Sequence, residues 1–190
     1  MCPTETQLRR LDDASSFIHD ADLLLFRGSG LISIGGRGKH THAGKAAWWG
    51  RELMCLEVRE ICGGRAVTLR SQVRRYPKRI EVYRTNPTGD RRYDPEKAVD
   101  YMRRLTGCDY GWRSCAIAAF THTLLMRLLI RPSVNDRDTS NRPPFCSEAC
   151  ASADRIGGGI DSVLNLADRF TEPSDLARSQ FYEYQFTLIP

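Results

Sequence analysis

Three short segments between residues 53 and 84 constrain the fold most. Residues 53–58, 66–69 and 80–84 are each apolar or alternate apolar with polar side chains, and each is too short for a helix that buries a stripe. Gly63-Gly64 and Tyr76-Pro77-Lys78 stand between them as turn residues. The pattern predicts strands of a small antiparallel sheet. Residues 22–26, Asp-Leu-Leu-Leu-Phe, add a buried strand that enters the loop Arg27-Gly-Ser-Gly30, and residues 181–189 alternate well enough for a last strand. Helix signals lie elsewhere. Asp94-Pro95-Glu96 supplies an N-cap acid, a proline at the first helical position and an acid in the first turn, for a helix through Leu105 that stops at Gly107. Residues 12–19, 112–130, 147–156 and 174–179 read as further helices, the third closed by Gly157-Gly158-Gly159. Helices and strands are segregated along the chain, so the expected class is α+β.

A length of 190 residues suits one domain with a sizeable core. The 28 basic residues exceed the 23 acidic ones by only five, and all but four of the bases are arginine. Arg70, Arg74, Arg75, Lys78, Arg79 and the pair Arg91-Arg92 cluster, yet no aromatic-interleaved motif accompanies them, and no nucleic-acid partner is expected. The most apolar run, 115–130, is broken by Thr121, His122, Thr123 and Arg127 and falls short of the ~20 residues a membrane span needs. Stable membrane insertion is therefore not expected. The glycine-rich run from Gly28 to Gly38 lacks the Gly-Lys-Ser/Thr ending of a phosphate-binding loop and reads as a lip beside a site, without a cofactor. Residues 1–20 hold no apolar signal-peptide region. The expectation is a chain made in the cytoplasm with reduced thiols, acting there or carried to the cell wall in a virion or other multiprotein assembly.

Seven cysteines, an odd number, are too sparse for a disulfide scaffold. One of them has a distinctive setting: Phe145-Cys146-Ser147-Glu148 lies where a loop becomes a helix. Unpaired N–H groups and the positive end of the helix dipole favour a thiolate there. Such a thiol needs a histidine. His19 reads as solvated and His122 as a helix-face residue. His42, followed by Ala43-Gly44, is the preferred general base and His40 the runner-up, because small residues allow close approach. Glu57 points away from Leu56 and Val58 and would orient the imidazole if His42 lies on the adjacent strand; the alternative is a solvated face. Cys146 and Cys150, one helical turn apart, and His40-Thr41-His42 are the candidates for metal binding. No paired short-spaced knuckle supports it, and no metal is expected.

In order and spacing, four blocks resemble the circularly permuted branch of the NlpC-type papain-like superfamily, the YiiX/YebB-like proteins, with the lecithin:retinol acyltransferases more distant. The blocks are Asp22-Leu-Leu-Leu-Phe26, Thr41-His42-Ala43-Gly44, Tyr110-Gly111-Trp112 and Phe145-Cys146-Ser147-Glu148. They span about residues 20–160, expected to form the core of one 190-residue domain. The resemblance implies a papain-like fold with Cys146 as nucleophile, His42 as base, Glu57 as third member and Tyr110 lining the site to assist the oxyanion. It implies a cysteine peptidase or amidase acting on peptidoglycan stem peptides, with an acyltransferase, a lipid amidase or a catalytically silent assembly module as alternatives. Two departures stand out: Ala21 where relatives have glycine before the aspartate, and Gly44-Lys45 where they continue with a more apolar strand.

Overall fold

The computed structural model describes residues 7–28, 38–111 and 143–190. Seven strands form one sheet: β1 (Leu8–Arg10), β2 (Leu23–Arg27), β3 (His40–Trp49), β4 (Glu52–Arg59), β5 (Gly63–Thr68), β6 (Ile80–Thr85) and β7 (Tyr182–Ile189), in the spatial order β1-β7-β6-β2-β3-β4-β5. Every pairing is antiparallel except β1 with β7. The helices are α1 (Leu11–Ala14), α2 (Leu69–Arg75), α3 (Pro95–Arg104), α4 (Cys146–Ser152) and α5 (Pro173–Arg178). The class is α+β, as the segregated pattern predicts. The sheet is larger than the small one expected.

Both faces of the sheet are covered. Leu23, Leu25, Ala43, Ala47, Leu56 and Val58 pack with Val99 and Met102 of α3, Ala149 and Cys150 of α4 and Leu176 of α5. Leu24, Phe26, Ala46, Cys55, Ile80 and Val82 pack on the other face with Leu11 and Ala14 of α1 and Leu69 and Val73 of α2. Two covered faces explain why β2 is an unbroken apolar run: successive side chains go to opposite sides and all are buried. The core also passes residue 160, where the resemblance ended. Leu176, Tyr182, Phe186 and Leu188 belong to it, and β7 pairs with β6.

The local signals behave as their chemistry requires. Asp94 caps α3 by accepting the Lys97 N–H, with Pro95 at the first position. Ala21 adopts φ 64°, the left-handed region that glycine occupies at little cost, which is why a glycine suits this position. The Asp22 carboxylate next to it accepts from the backbone N–H groups of His19 and Thr85, fastening the start of β2 to β6. Gly63-Gly64, expected as a separator, opens β5 instead. A Cβ on Gly64 would lie 1.8 Å from the Leu105 carbonyl oxygen, because residues 105–108 run along this edge, with Gly64 N–H donating to Cys108 O and Gly107 N–H to Gly64 O. The edge strand is thereby covered. Helix α2, capped by the Thr68 hydroxyl, was not foreseen between the predicted strands. The predicted helix 112–130 with His122, most of the loop after it, and the lip residues 29–37 lie outside the described residues.

A buried ion pair ties the sheet to the helical layer. Lys45 of β3 and Asp154, in the π-turn that continues α4, are both fully buried, with Nζ 2.8 and 2.9 Å from the two carboxylate oxygens. Nζ also donates to Ala21 O, and Asp154 accepts from the hydroxyls of Tyr93 and Tyr182. Lys45→Met is expected to lower the unfolding free energy by about 3–5 kcal/mol, because it strands a buried carboxylate. Lys45→Met with Asp154→Leu should lose clearly less. Urea titration of both variants measures the difference.

Candidate active site

Cys146 is the first residue of α4, and its thiol is nearly buried. The Phe145 N–H before it donates to the Glu148 carboxylate, which closes the first turn. Tyr110 is brought to the same region. Gly111 N–H donates to Pro144 O, so residues 110–111 lie along the segment that leads into Cys146, and Tyr110 joins Cys146 in one core cluster.

His42 lies on β3, where that strand is held on one side only. Pairing of β3 with β2 runs through Phe26↔His42 to Arg27↔His40, whereas pairing with β4 ends at Gly44↔Glu57. Side chains two apart share a side of a strand, so Glu57, opposite Gly44, faces the same way as His42. Gly44 has no side chain to stand between them, and the carboxylate reaches across: His42 Nε2 lies 2.6 Å from Glu57 Oε2. The His42 ring packs edge-on against Phe26. Nδ1 is buried without an aligned hydrogen-bond partner among the described residues, which leaves it for the Cys146 thiol that acts on the same ring.

The charges follow from this geometry. Burial pushes the His42 pKa down, but the adjoining Cys146 and Glu57 outweigh it and raise it to about 9. Burial pushes Glu57 up, and His42, Arg65 and Arg59 outweigh that, bringing it to about 2. Arg65, opposite Glu57 in the β4–β5 register, donates from Nε at 2.8 Å and Nη2 at 2.5 Å to Oε1, and Arg59 Nη1 lies 3.4 Å from Oε2. Glu57 is thus buried on an interior strand, and the solvated-face alternative does not hold.

His40, the runner-up base, is occupied elsewhere. Its Nε2 lies 2.7 Å from Glu81 Oε2, and Glu81 also accepts from Lys39 and the Tyr83 hydroxyl. The register shifts between Phe26 and Arg27, and this bulge turns His40 to the side opposite His42. His19 is exposed, as expected, and Cys150 is buried one turn behind Cys146. Sequence reasoning missed Arg65, Arg59, Lys45 and Asp154. Arg65 had a signal: a hairpin centred on Ile61 sets it opposite Glu57, had Gly63-Gly64 been read as strand.

No family model and no curated protein matches the chain. Among solved structures, the fold is similar to the crystal structure of metalloprotein yiiX from Escherichia coli O157:H7, with a TM-score of 0.60 and 10% sequence identity, over 91% of this chain and 99% of that one. The likeness is one of fold: a mixed α+β structure with the sheet packed against helices.

Two outcomes are expected. The folded His42 pKa of about 9 exceeds the ordinary 6.5, so this group's stabilisation is complete below pH 6.5 and is lost as pH rises through 9. Unfolding free energy should decline by about 3 kcal/mol across that window, and His42→Gln should flatten the decline. A Cβ on Gly44 would meet Leu56 O at 2.9 Å and Cys55 Sγ at 3.0 Å. Gly44→Val should therefore cost about 1–3 kcal/mol by thermal denaturation and weaken the same pH dependence by forcing β4 away from His42.

Proposed function

We propose that this protein is a papain-like cysteine hydrolase that cleaves amide bonds, with peptidoglycan stem peptides as its substrate class. The observation that carries this reading is the buried His42 ring, with Nε2 2.6 Å from Glu57 Oε2, Nδ1 left unpaired among the described residues, and Cys146 acting on the ring. A thiol beside an imidazole whose other nitrogen is anchored is the arrangement of an activated nucleophile. Cys146 attacks the amide carbonyl, His42 delivers its proton to the leaving amine, and the resulting thioester is hydrolysed by water that His42 deprotonates. The N–H of Cys146 and the N–H groups after it at the start of α4 are the candidate oxyanion donors, with Tyr110 beside them. The fold likeness to yiiX and the four-block resemblance to the permuted NlpC-type branch support the class, and the substrate rests on that resemblance.

The yiiX protein of E. coli is called a metalloprotein. The described residues of the site do not suit a metal ion. Among the described residues no group of three or more His, Cys, Asp or Glu is placed to hold one. In the site, Glu57 Oε1 is taken by Arg65 and Oε2 by His42.

Purified peptidoglycan should yield free peptide fragments by mass spectrometry, and Cys146→Ala or His42→Ala should lower the rate by about 10³-fold or more with the fold retained by circular dichroism. Iodoacetamide at neutral pH should label Cys146 in preference to the exposed Cys62. Transfer of an acyl group to an acceptor in place of free peptide would move the assignment to an acyltransferase. Equal labelling of the two thiols would sink it.

A further inference from the structure

Arg65 does more than fill the end of a strand. It grips one oxygen of Glu57 with two nitrogens, at 2.8 and 2.5 Å, and leaves the other oxygen for His42 at 2.6 Å. Glu57 is 1% exposed, so its charge is screened by neighbours and hardly by water. Among the described residues, the titratable and charged groups about the pair are Cys146 and Cys150 from α4, Cys55 and Arg59 from β4, Arg65 from β5, and Tyr76 at the end of α2, whose hydroxyl accepts from Arg59. A naked buried carboxylate at hydrogen-bond distance would hold the imidazole proton for itself. An orienting group for a thiol hydrolase must fix the ring without claiming that proton, because His42 has to give it to the leaving amine and later take one from water.

We propose that Arg65 is a positioning residue that offsets part of the Glu57 charge, so that this carboxylate orients His42 without holding its proton outright and leaves the imidazolium to pair with the Cys146 thiolate. The role rests on the hydrolase reading above. It differs from a structural ion pair in one respect: it predicts a charge cycle. Removing Arg65 leaves only the more distant Arg59, 3.4 Å from Oε2, against the carboxylate's charge; removing the carboxylate leaves the charge of Arg65 unopposed; and removing both largely cancels.

The test follows the His42 ring by NMR against pH in the wild type, Arg65→Met, Glu57→Gln and the double variant, alongside the pH dependence of Cys146 alkylation by iodoacetamide. Arg65→Met should raise the ring's titration midpoint by about one pH unit and Glu57→Gln should lower it by about as much. The double variant should return to within a few tenths of the wild type, and Arg65→Lys should stay close to it. Midpoints in Arg65→Met or Glu57→Gln that match the wild type, or a double variant that does not return, would overturn the proposal; the Glu57→Gln arm decides it even if Arg65→Met does not fold. Wild-type Cys146 that is not selectively alkylated overturns the hydrolase reading, and with it any catalytic meaning for Arg65, while the midpoints still report whether the arginine offsets the carboxylate's charge.

Discussion

Lys45 and Asp154 are 109 positions apart and meet in the middle of the protein, both fully buried. The elements of the site hang on that contact. Lys45 is three residues beyond His42 on β3, and Asp154 is eight beyond Cys146 in the turn that continues α4. The pair therefore sets where the helix bearing the thiol stands along the strand bearing the imidazole. It also recruits its surroundings: the Ala21 carbonyl before β2, the Thr85 hydroxyl that ends β6, Tyr93 before α3 and Tyr182 at the start of β7 all direct polar atoms to it. Two apolar side chains of equal volume would hold the layers together as well. They would tolerate sliding, whereas a buried carboxylate held by a lysine and two tyrosine hydroxyls accepts one placement. A lysine in the middle of an otherwise largely buried strand is thus explained by a partner on another element.

Local register decides which histidine meets the thiol. His40 and His42 are two apart and would share a face of a regular strand, so on spacing they are equal candidates. The bulge opposite Arg27 separates them. His42 turns to Phe26 and Glu57 and meets the thiol, while His40 turns to Glu81 and Tyr83 on the other side. Each finds a buried carboxylate, and burial of one charge demands the other. Among the described residues, the Cys146 thiol acts on the ring of the His42 pair. The second pair, with Lys39 and Arg27 on the same carboxylate, closes the neighbouring end of the sheet.

How much was legible follows from how far each determinant reaches. The β2, β4, β6 and β7 strands, the start of α3 and the helix near 174–179 carry their own signals in adjacent residues, and they appear where the sequence indicates. Helix α2 was not seen because its exposed arginines masked the spacing of Leu69, Gln72 and Val73. Strand β1 is three residues long and depends on β7 for its existence. In the site, the meeting of Cys146, His42 and Glu57 was legible because a thiol at a helix start, a histidine before small residues and a carboxylate on an apolar strand have chemical types and a chain order. Arg65 and Asp154 were not, since an arginine on an edge strand and an aspartate after a helix are ordinary until the register and the packing bring them to a carboxylate and a lysine.

The site then reads as a line of groups across the sheet and into the helix: guanidinium, carboxylate, imidazole, thiol. Burial works against the imidazolium, and its pKa stands near 9 only because its two neighbours can each be an anion. The carboxylate, for its part, stays ionised near 2 only because it is flanked by His42, Arg65 and Arg59. Neither state is a property of one residue. A low dielectric makes each charge costly alone and strengthens its attraction to the next, so the groups hold or release their protons as a set. This is why a glycine matters as much as any ionisable group here. Without the space above Gly44 the carboxylate could not reach the ring, and the line would break at its centre.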